Sequence, residues 1–200
     1  MPRPDRLQDC GLAFALPLSR DAFLEDYDNP SKDFVRNWVT QFEGLSLDHL
    51  WLGYGRLAAY ARLVAAEAAA LGVSVVTDVT LDSWAALTRA RPITTLVAHW
   101  AESALHGVEF STGIVPLEHV CAALPGRYRG LLDLTVCHSS QAIAPLKRAR
   151  PGCTVLANRE AARLDIRLAM YRQILRVLNH ERITYVDAAA RVHMAGLEVT

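Results

Sequence analysis

Two stretches of the chain decide its fold: Ile93-Thr94-Thr95-Leu96-Val97-Ala98-His99 and Leu131-Leu132-Asp133-Leu134-Thr135-Val136-Cys137. Each is a short and nearly continuous apolar run, the pattern of a strand buried on both faces in a parallel sheet. One run closes on an imidazole and the other on a thiol.

Outward from these runs, strand and helix signals alternate. Leu12 to Leu18 reads as a first buried strand, since Gly11 to Leu18 is too short to span a bilayer and no Ala-x-Ala site follows it. An acidic excursion carrying Asp21, Glu25, Asp26, Asp28 and Asp33 follows, with a short helix expected around Phe34 to Phe42. Leu57, Ala61, Val64, Ala68 and Leu71 form one stripe at helical spacing, which predicts a helix from about Tyr54 to Leu71 stopped by Gly72. Val73 to Val79 suits a buried parallel strand, and Asp82 reads as the cap of a helix bearing Trp84 and Leu87. Ser111-Thr112-Gly113 predicts a hairpin between Val108-Phe110 and Ile114-Val115, and Pro116 opens a helix to about Leu124. Thr154 to Ala157 is one more strand. Asn158 reads as the cap of a helix with Leu164, Leu168, Tyr171, Leu175 and Leu178 on its stripe, and Thr184 to Asp187 as a capping box, with Gly196 closing the last helix. The expectation is a single α/β domain over residues 1–200, a three-layer sandwich with a mostly parallel central sheet, helices on both faces, and a hairpin between the His and Cys strands.

Composition limits the partners. Lys plus Arg and Asp plus Glu are 21 each, so the net charge is zero and the basic excess of a nucleic-acid binder is missing. At 52% hydrophobic and 21% charged residues, the chain is globular in character rather than disordered. No membrane partner is expected. Cys10, Cys121, Cys137 and Cys153 are widely spaced without a CxxC pair, which argues against structural zinc and a secreted disulfide scaffold, and for a reducing cytoplasm.

In an open α/β sheet, ligands gather outside the carboxyl ends of the strands. His99 and Cys137 both stand at such ends. A thiol with an ordinary pKa near 8.5 is only about 3% thiolate at pH 7, and an imidazole partner can raise that fraction and then protonate a leaving amine.

At this point the chain resembles a family. Thr95 to His99, the hairpin Val108 to Gly113, the helix Pro116 to Leu124, and Leu131 to Ser139 together look like the core of a caspase-like (clan CD) cysteine peptidase, closest to its CHAT branch. The Thr154 to Arg191 tail is similar to the end of CHAT domains, and Cys137-His138-Ser139 is similar to the stretch around the metacaspase nucleophile. The resemblance implies that Cys137 is the nucleophile of a cysteine endopeptidase and His99 its acid–base partner. Trp100, His138 and Ser139 become the oxyanion or pocket candidates, and Asp133, which shares strand parity with Cys137, a weak substrate-pocket candidate. Trp100 stands where the family usually has Gly, and Ser139 and Ser140 where it often has Gly. Expected partners are a protein or peptide substrate, a separate regulatory protein, and, in bacterial defence, an effector such as a gasdermin-like pore former. No cofactor is expected. The alternative from another class is a catalytically silent caspase-like interaction module.

Four other motifs are weaker. Gly53-Tyr54-Gly55-Arg56-Leu57-Ala58 matches the dinucleotide fingerprint with Asp78 downstream, but the run ahead of it makes a poor strand. His99, His106, Cys137 and His138 lack paired metal-ligand spacing. His106-Gly107 lies well past a strand end. Lys147-Arg148-Ala149-Arg150 is similar in position to a caspase activation linker, against the plainer reading of a solvated loop.

Overall fold

The computed structural model describes residues 5–42, 44–101, 107–135, 139–158, 163–192 and 197–199. In chain order its strands are β1 (Cys10–Phe14), β2 (Ser74–Thr77), β3 (Ile93–Val97), β4 (His99–Ala101), β5 (Gly107–Phe110), β6 (Gly113–Pro116), β7 (Leu131–Thr135), β8 (Thr154–Asn158) and β9 (Leu197–Val199). The helices are α1 (Arg20–Asp28), α2 (Phe34–Thr40), α3 (Leu47–Ala70), α4 (Leu81–Ala90), α5 (Leu117–Ala122), α6 (Ile143–Ala149), α7 (Leu164–His180) and α8 (Tyr185–Val192).

The main sheet has the order β2-β1-β3-β7-β8-β9, parallel from β2 to β8 with β9 antiparallel on the edge. Alternate side chains divide it between two cores. Leu12, Phe14, Ile93, Val97, Leu131 and Leu156 point to one face, where they pack with residues of α3, α7 and α8. Ala13, Leu96, Leu132, Leu134 and Val155 point to the other face, with Trp84 and Leu87 of α4, Val120 and Cys121 of α5, and Leu146 of α6. This period-2 sorting makes three layers, a sheet between two helical layers, as expected from the alternating elements. Strands β4, β5 and β6 form a separate antiparallel sheet between β3 and β7 in the chain.

Several local expectations need correction. The first strand spans Cys10–Phe14 rather than Leu12–Leu18. β2 covers Ser74–Thr77 only and lies at the sheet edge, so its side chains are partly exposed rather than buried. Thr80, not Asp82, caps α4: its Oγ1 accepts from the Ser83 N–H, and the Ser83 Oγ accepts from the Thr80 N–H. Asn158 ends β8 and does not cap α7, which starts at Leu164. Thr184 and Asp187 do form a reciprocal cap on α8, while Gly196 lies outside the described residues.

The dinucleotide fingerprint falls inside α3. A Ser46 cap opens that helix at Leu47, seven residues before Tyr54, so Gly53 and Gly55 are helical and no strand leads into them. The phosphate-binding turn the fingerprint requires is therefore missing. α3 begins early because Leu50 and Tyr54 are buried, Tyr54 in an aromatic group with Phe23 at 5.1 Å and Trp51 at 5.9 Å between ring centroids. That group docks the acidic excursion onto α3.

Lys147 to Ala149 form the last turn of α6 rather than a solvated loop. Lys147 Nζ donates to the Cys153 carbonyl at 2.7 Å. Arg150 Nε donates to the Pro125 carbonyl at 2.7 Å, and its guanidinium also reaches the Leu124 carbonyl just beyond the end of α5. Cutting here would require these contacts to open first.

Candidate active site at the ends of two central strands

β3 and β7 are hydrogen-bonded neighbours, with Val97 beside Thr135 in the register. His99 follows Val97 by two residues and Cys137 follows Thr135 by two. The condition set by the sequence, that the His and Cys strands be adjacent and parallel, is therefore met. Val136, Cys137, His138 and His106 lie outside the described residues.

His99 opens β4 and is paired with Glu109 across the β4–β5 ladder. Its Nε2 lies 3.1 Å from Asp33 Oδ1. The ring packs on Phe34, centroids 5.2 Å apart at an interplanar angle of 40°. Asp33 and Phe34 are consecutive, so one dipeptide holds the imidazole at an edge and at a face.

Asp33 occupies the cap position of α2, yet its side chain makes no capping bond. An Asp in that position ordinarily accepts from its own helix's first turn. Here Glu109 supplies that function from β5: its Oε2 accepts from the Asp33 N–H at 2.8 Å and the Phe34 N–H at 2.9 Å. The same loop is held at two more points. Ile114 N–H donates to the Ser31 carbonyl at 2.9 Å. Lys32 Nζ meets Asp26 Oδ1 at 2.5 Å, both side chains being buried. Gly113, at φ +129°, brings the hairpin turn so close that an added Cβ would sit 3.0 Å from Ser31 Cβ.

Glu109 is 1% exposed, and burial pushes its carboxyl up to about 7, with the Asp33 carboxyl adding to the effect and the two backbone N–H groups opposing it. A raised carboxyl makes ionisation costly in the folded state. Stability is therefore greatest below the unfolded value of 4.5, declines as pH rises towards 7, and stays reduced above it. Glu109→Gln keeps an oxygen for the two N–H groups and cannot ionise. It should stabilise the protein by about 2 kcal/mol at pH 8 and by little at pH 4, as read by urea unfolding. An equal effect at both pH values would contradict a costly Glu109 charge.

The other sequence candidates have different surroundings. The Trp100 ring is buried with the α4–α6 core, and its Nε1 has no hydrogen-bond partner among the described residues. The Ser139 hydroxyl is buried and doubly used: it donates to the Leu134 carbonyl at 3.2 Å and accepts from Asn158 N–H at 2.9 Å, tying the end of β7 to the end of β8. It is structural, not a pocket donor. Asp133 faces the α7–α8 layer, where Tyr185 Oη donates to it at 2.6 Å and itself bonds Thr95 Oγ1 at 3.1 Å. Burial raises its carboxyl to about 6, against the opposing Tyr185 bond. Asp133 belongs to this interior network and does not line a substrate pocket.

The other cysteines are inert by burial. Cys10, Cys121 and Cys153 are free and buried, with the Cys10 thiol pushed up to about 12 and that of Cys121 to about 11. As for metals, ligand atoms of Asp33, His99 and Glu109 all lie within 4.8 Å of one another, a donor set zinc accepts. Occupancy there would disturb the His99–Asp33 contact and the Glu109 capping bonds.

Asp33 and Glu109 were missed from sequence. In the sequence Asp33 is one of five acidic residues of the excursion, and Glu109 stands between Val108 and Phe110 in a hairpin strand. Their meeting across 76 positions leaves no local signal. No protein-family model matches the chain, and no curated protein does. No helix among the described residues is long and apolar enough to cross a membrane.

Proposed function

We propose that this chain is a caspase-like cysteine endopeptidase of the CHAT type, with Cys137 as nucleophile and His99 as its acid–base partner. The observation that carries the reading is the pairing of β3 with β7, with Val97 beside Thr135. Supporting it, the hairpin sheet and α5 lie between these two strands in the chain, in the order the family resemblance implies.

The chemistry is acyl transfer. His99 takes the Cys137 thiol proton, and the thiolate attacks the scissile carbonyl carbon. A C–S bond forms while the C=O π pair moves onto oxygen. The tetrahedral intermediate collapses, the C–N bond breaks, and the imidazolium returns its proton to the leaving amine. Water, deprotonated by His99, then cleaves the thioester and restores the thiol–imidazole pair. Substrate and regulator would be proteins in the cytoplasm, and an effector such as a gasdermin-like pore former fits the resemblance.

The test is to treat the folded protein with iodoacetamide or a peptidyl acyloxymethyl ketone, map the adduct, and screen a peptide library. Cys137 should be modified far faster than Cys10, and Cys137→Ala and His99→Ala should each remove cleavage. A Cys137 no more reactive than Cys10, with no peptide cut, would sink the peptidase reading in favour of a silent interaction module.

A further inference from the structure

We propose that Asp33, His99 and Glu109 form a binding site for one zinc ion, set between the loop ahead of α2 and the β4–β5 ladder. The site stands on these three residues alone, and only its effect on cleavage rests on the peptidase reading above.

Three observations carry it. The first is spacing: ligand atoms of the three side chains all lie within 4.8 Å of one another. Zinc binds imidazole nitrogen and carboxylate oxygen at about 2.0–2.2 Å, which sets neighbouring ligands of a tetrahedral site roughly 3.3–3.6 Å apart. The edge from Asp33 Oδ1 to His99 Nε2, at 3.1 Å, is already close to that spacing. The second is an orphaned atom. Asp33 Oδ1 is shielded from solvent and accepts no hydrogen bond, so it meets the nearby Nε2 off the line that a hydrogen bond needs. Two ligands of one cation meet in this way, because each aims a lone pair at the ion and not at the other. The third is charge. Glu109 is 1% exposed, and its carboxyl is bonded to two backbone N–H groups and to the Asp33 carboxyl. Two carboxyl groups bond each other only by sharing a proton. Among the described residues neither is paired with a Lys or Arg, and the neighbouring Lys32 is taken by Asp26. Buried carboxylates are ordinarily paired with a cation or hold a metal.

One ion serves all three groups. It replaces the proton between the carboxyls, which passes to solvent, and it gives Oδ1 the partner it lacks. His99 and Glu109 face each other across the β4–β5 ladder, so the sheet fixes two of the ligands. Asp33 is placed by the buried Lys32–Asp26 pair and by the Ile114–Ser31 bond. The side chains of His99 and Asp33 are 21% and 18% exposed, which leaves the ion a way in and a fourth position for water. The imidazole selects zinc over magnesium and calcium, which favour oxygen ligands throughout.

The test uses the full chain, stripped of metal with a chelator, dialysed, and titrated with zinc chloride in a calorimeter. Wild type should bind one ion with a micromolar or tighter Kd, and magnesium or calcium chloride at the same concentrations should give no binding. Asp33→Asn, His99→Gln and Glu109→Gln should each weaken zinc binding by at least the roughly tenfold that even the outer partners of a metal site contribute. Urea unfolding identifies the folded variants. The cobalt spectrum of wild type needs no variant: it should show nitrogen and oxygen ligation without the intense near-ultraviolet absorption of a thiolate ligand. A wild type that binds no zinc, a thiolate band, or unchanged affinity in folded variants would overturn the proposal. On the peptidase reading, zinc occupies the acid–base partner and should silence cleavage until a chelator is added. Glu109→Gln should need at least about tenfold more zinc to halve its own zinc-free rate. Wild-type cleavage that survives saturating zinc would remove His99 from the ligands and overturn the site. Zinc held by these residues in a chain that cuts no peptide supports the site and counts against the peptidase reading alone.

Discussion

Replacing Lys32 by Met is expected to cost about 3 kcal/mol or more of stability at pH 8 and, on the proposed peptidase reading, to cut turnover at temperatures where the variant still folds. Lys32 and Asp26 are 4% and 7% exposed, and their charged atoms meet at 2.5 Å. Removing one member of a buried ion pair leaves the other charged without compensation, at a cost of roughly 3–5 kcal/mol. The effect depends on pH in a defined direction. Burial already raises the Asp26 carboxyl, and Lys32 is what opposes this. Without Lys32 the carboxyl rises further and binds a proton more readily, so the destabilisation should be largest at pH 8 and shrink towards pH 5. The double variant Lys32→Met with Asp26→Asn should recover most of the loss, since neither buried charge remains. Urea unfolding of the three variants at both pH values measures this. A loss under 1 kcal/mol with no pH dependence would show that water reaches the pair. On the proposed reading turnover should follow, because the next residue, Asp33, has its Oδ1 3.1 Å from His99 Nε2.

Gly130→Ala should be comparably severe, at roughly 3–4 kcal/mol. A Cβ at Gly130 would lie 2.0 Å from the Pro92 carbonyl oxygen and 2.6 Å from the Tyr128 ring and hydroxyl. That oxygen already accepts from the Leu131 N–H at 2.7 Å and from Tyr128 Oη at 3.1 Å. The methyl must displace backbone rather than a flexible side chain, so overpacking of roughly 1–3 kcal/mol adds to one or more weakened hydrogen bonds of about 1 kcal/mol each. The contact lies where β3 and β7 begin to pair, so prising it open also disturbs the alignment of their far ends, where His99 and Cys137 follow. Gly126→Ala is the control, since nothing lies within 4 Å of its added Cβ. Denaturant midpoints of the two variants give the answer, and a Gly130→Ala midpoint matching Gly126→Ala would refute it.

These expectations also show which parts of the molecule could be read in advance. The runs at Ile93 and Leu131 were legible because continuous apolar character leaves few alternatives to a strand covered on both faces. The stripes of α3 and α7 were legible because their apolar spacing is helical over many turns. The start of α3 was not: Gly53 and Gly55 fit a fingerprint that would open a helix near Tyr54, and the aromatic packing of Tyr54 with Phe23 and Trp51 explains why the helix already runs through them. β9 was missed because three residues carry no period. At the site, the place of His99 just past β3 was legible, but it opens β4 of the second sheet rather than closing β3. Asp33 and Glu109 were not, because their roles depend on one helix cap being supplied from a hairpin strand 75 positions away.

The position of β1 has a consequence for biosynthesis. This buried five-residue strand lies between β2 and β3, whose sequences follow it by roughly 60 and 80 residues. At roughly 5–20 residues per second, both its edges stay unpaired for several seconds after it is made. An apolar strand with open edges is a template for association with other nascent chains. Variants that delay closure of the sheet, Gly130→Ala among them, should therefore lower soluble yield in cells more than their equilibrium stability alone would suggest, and a holding chaperone should restore part of that yield.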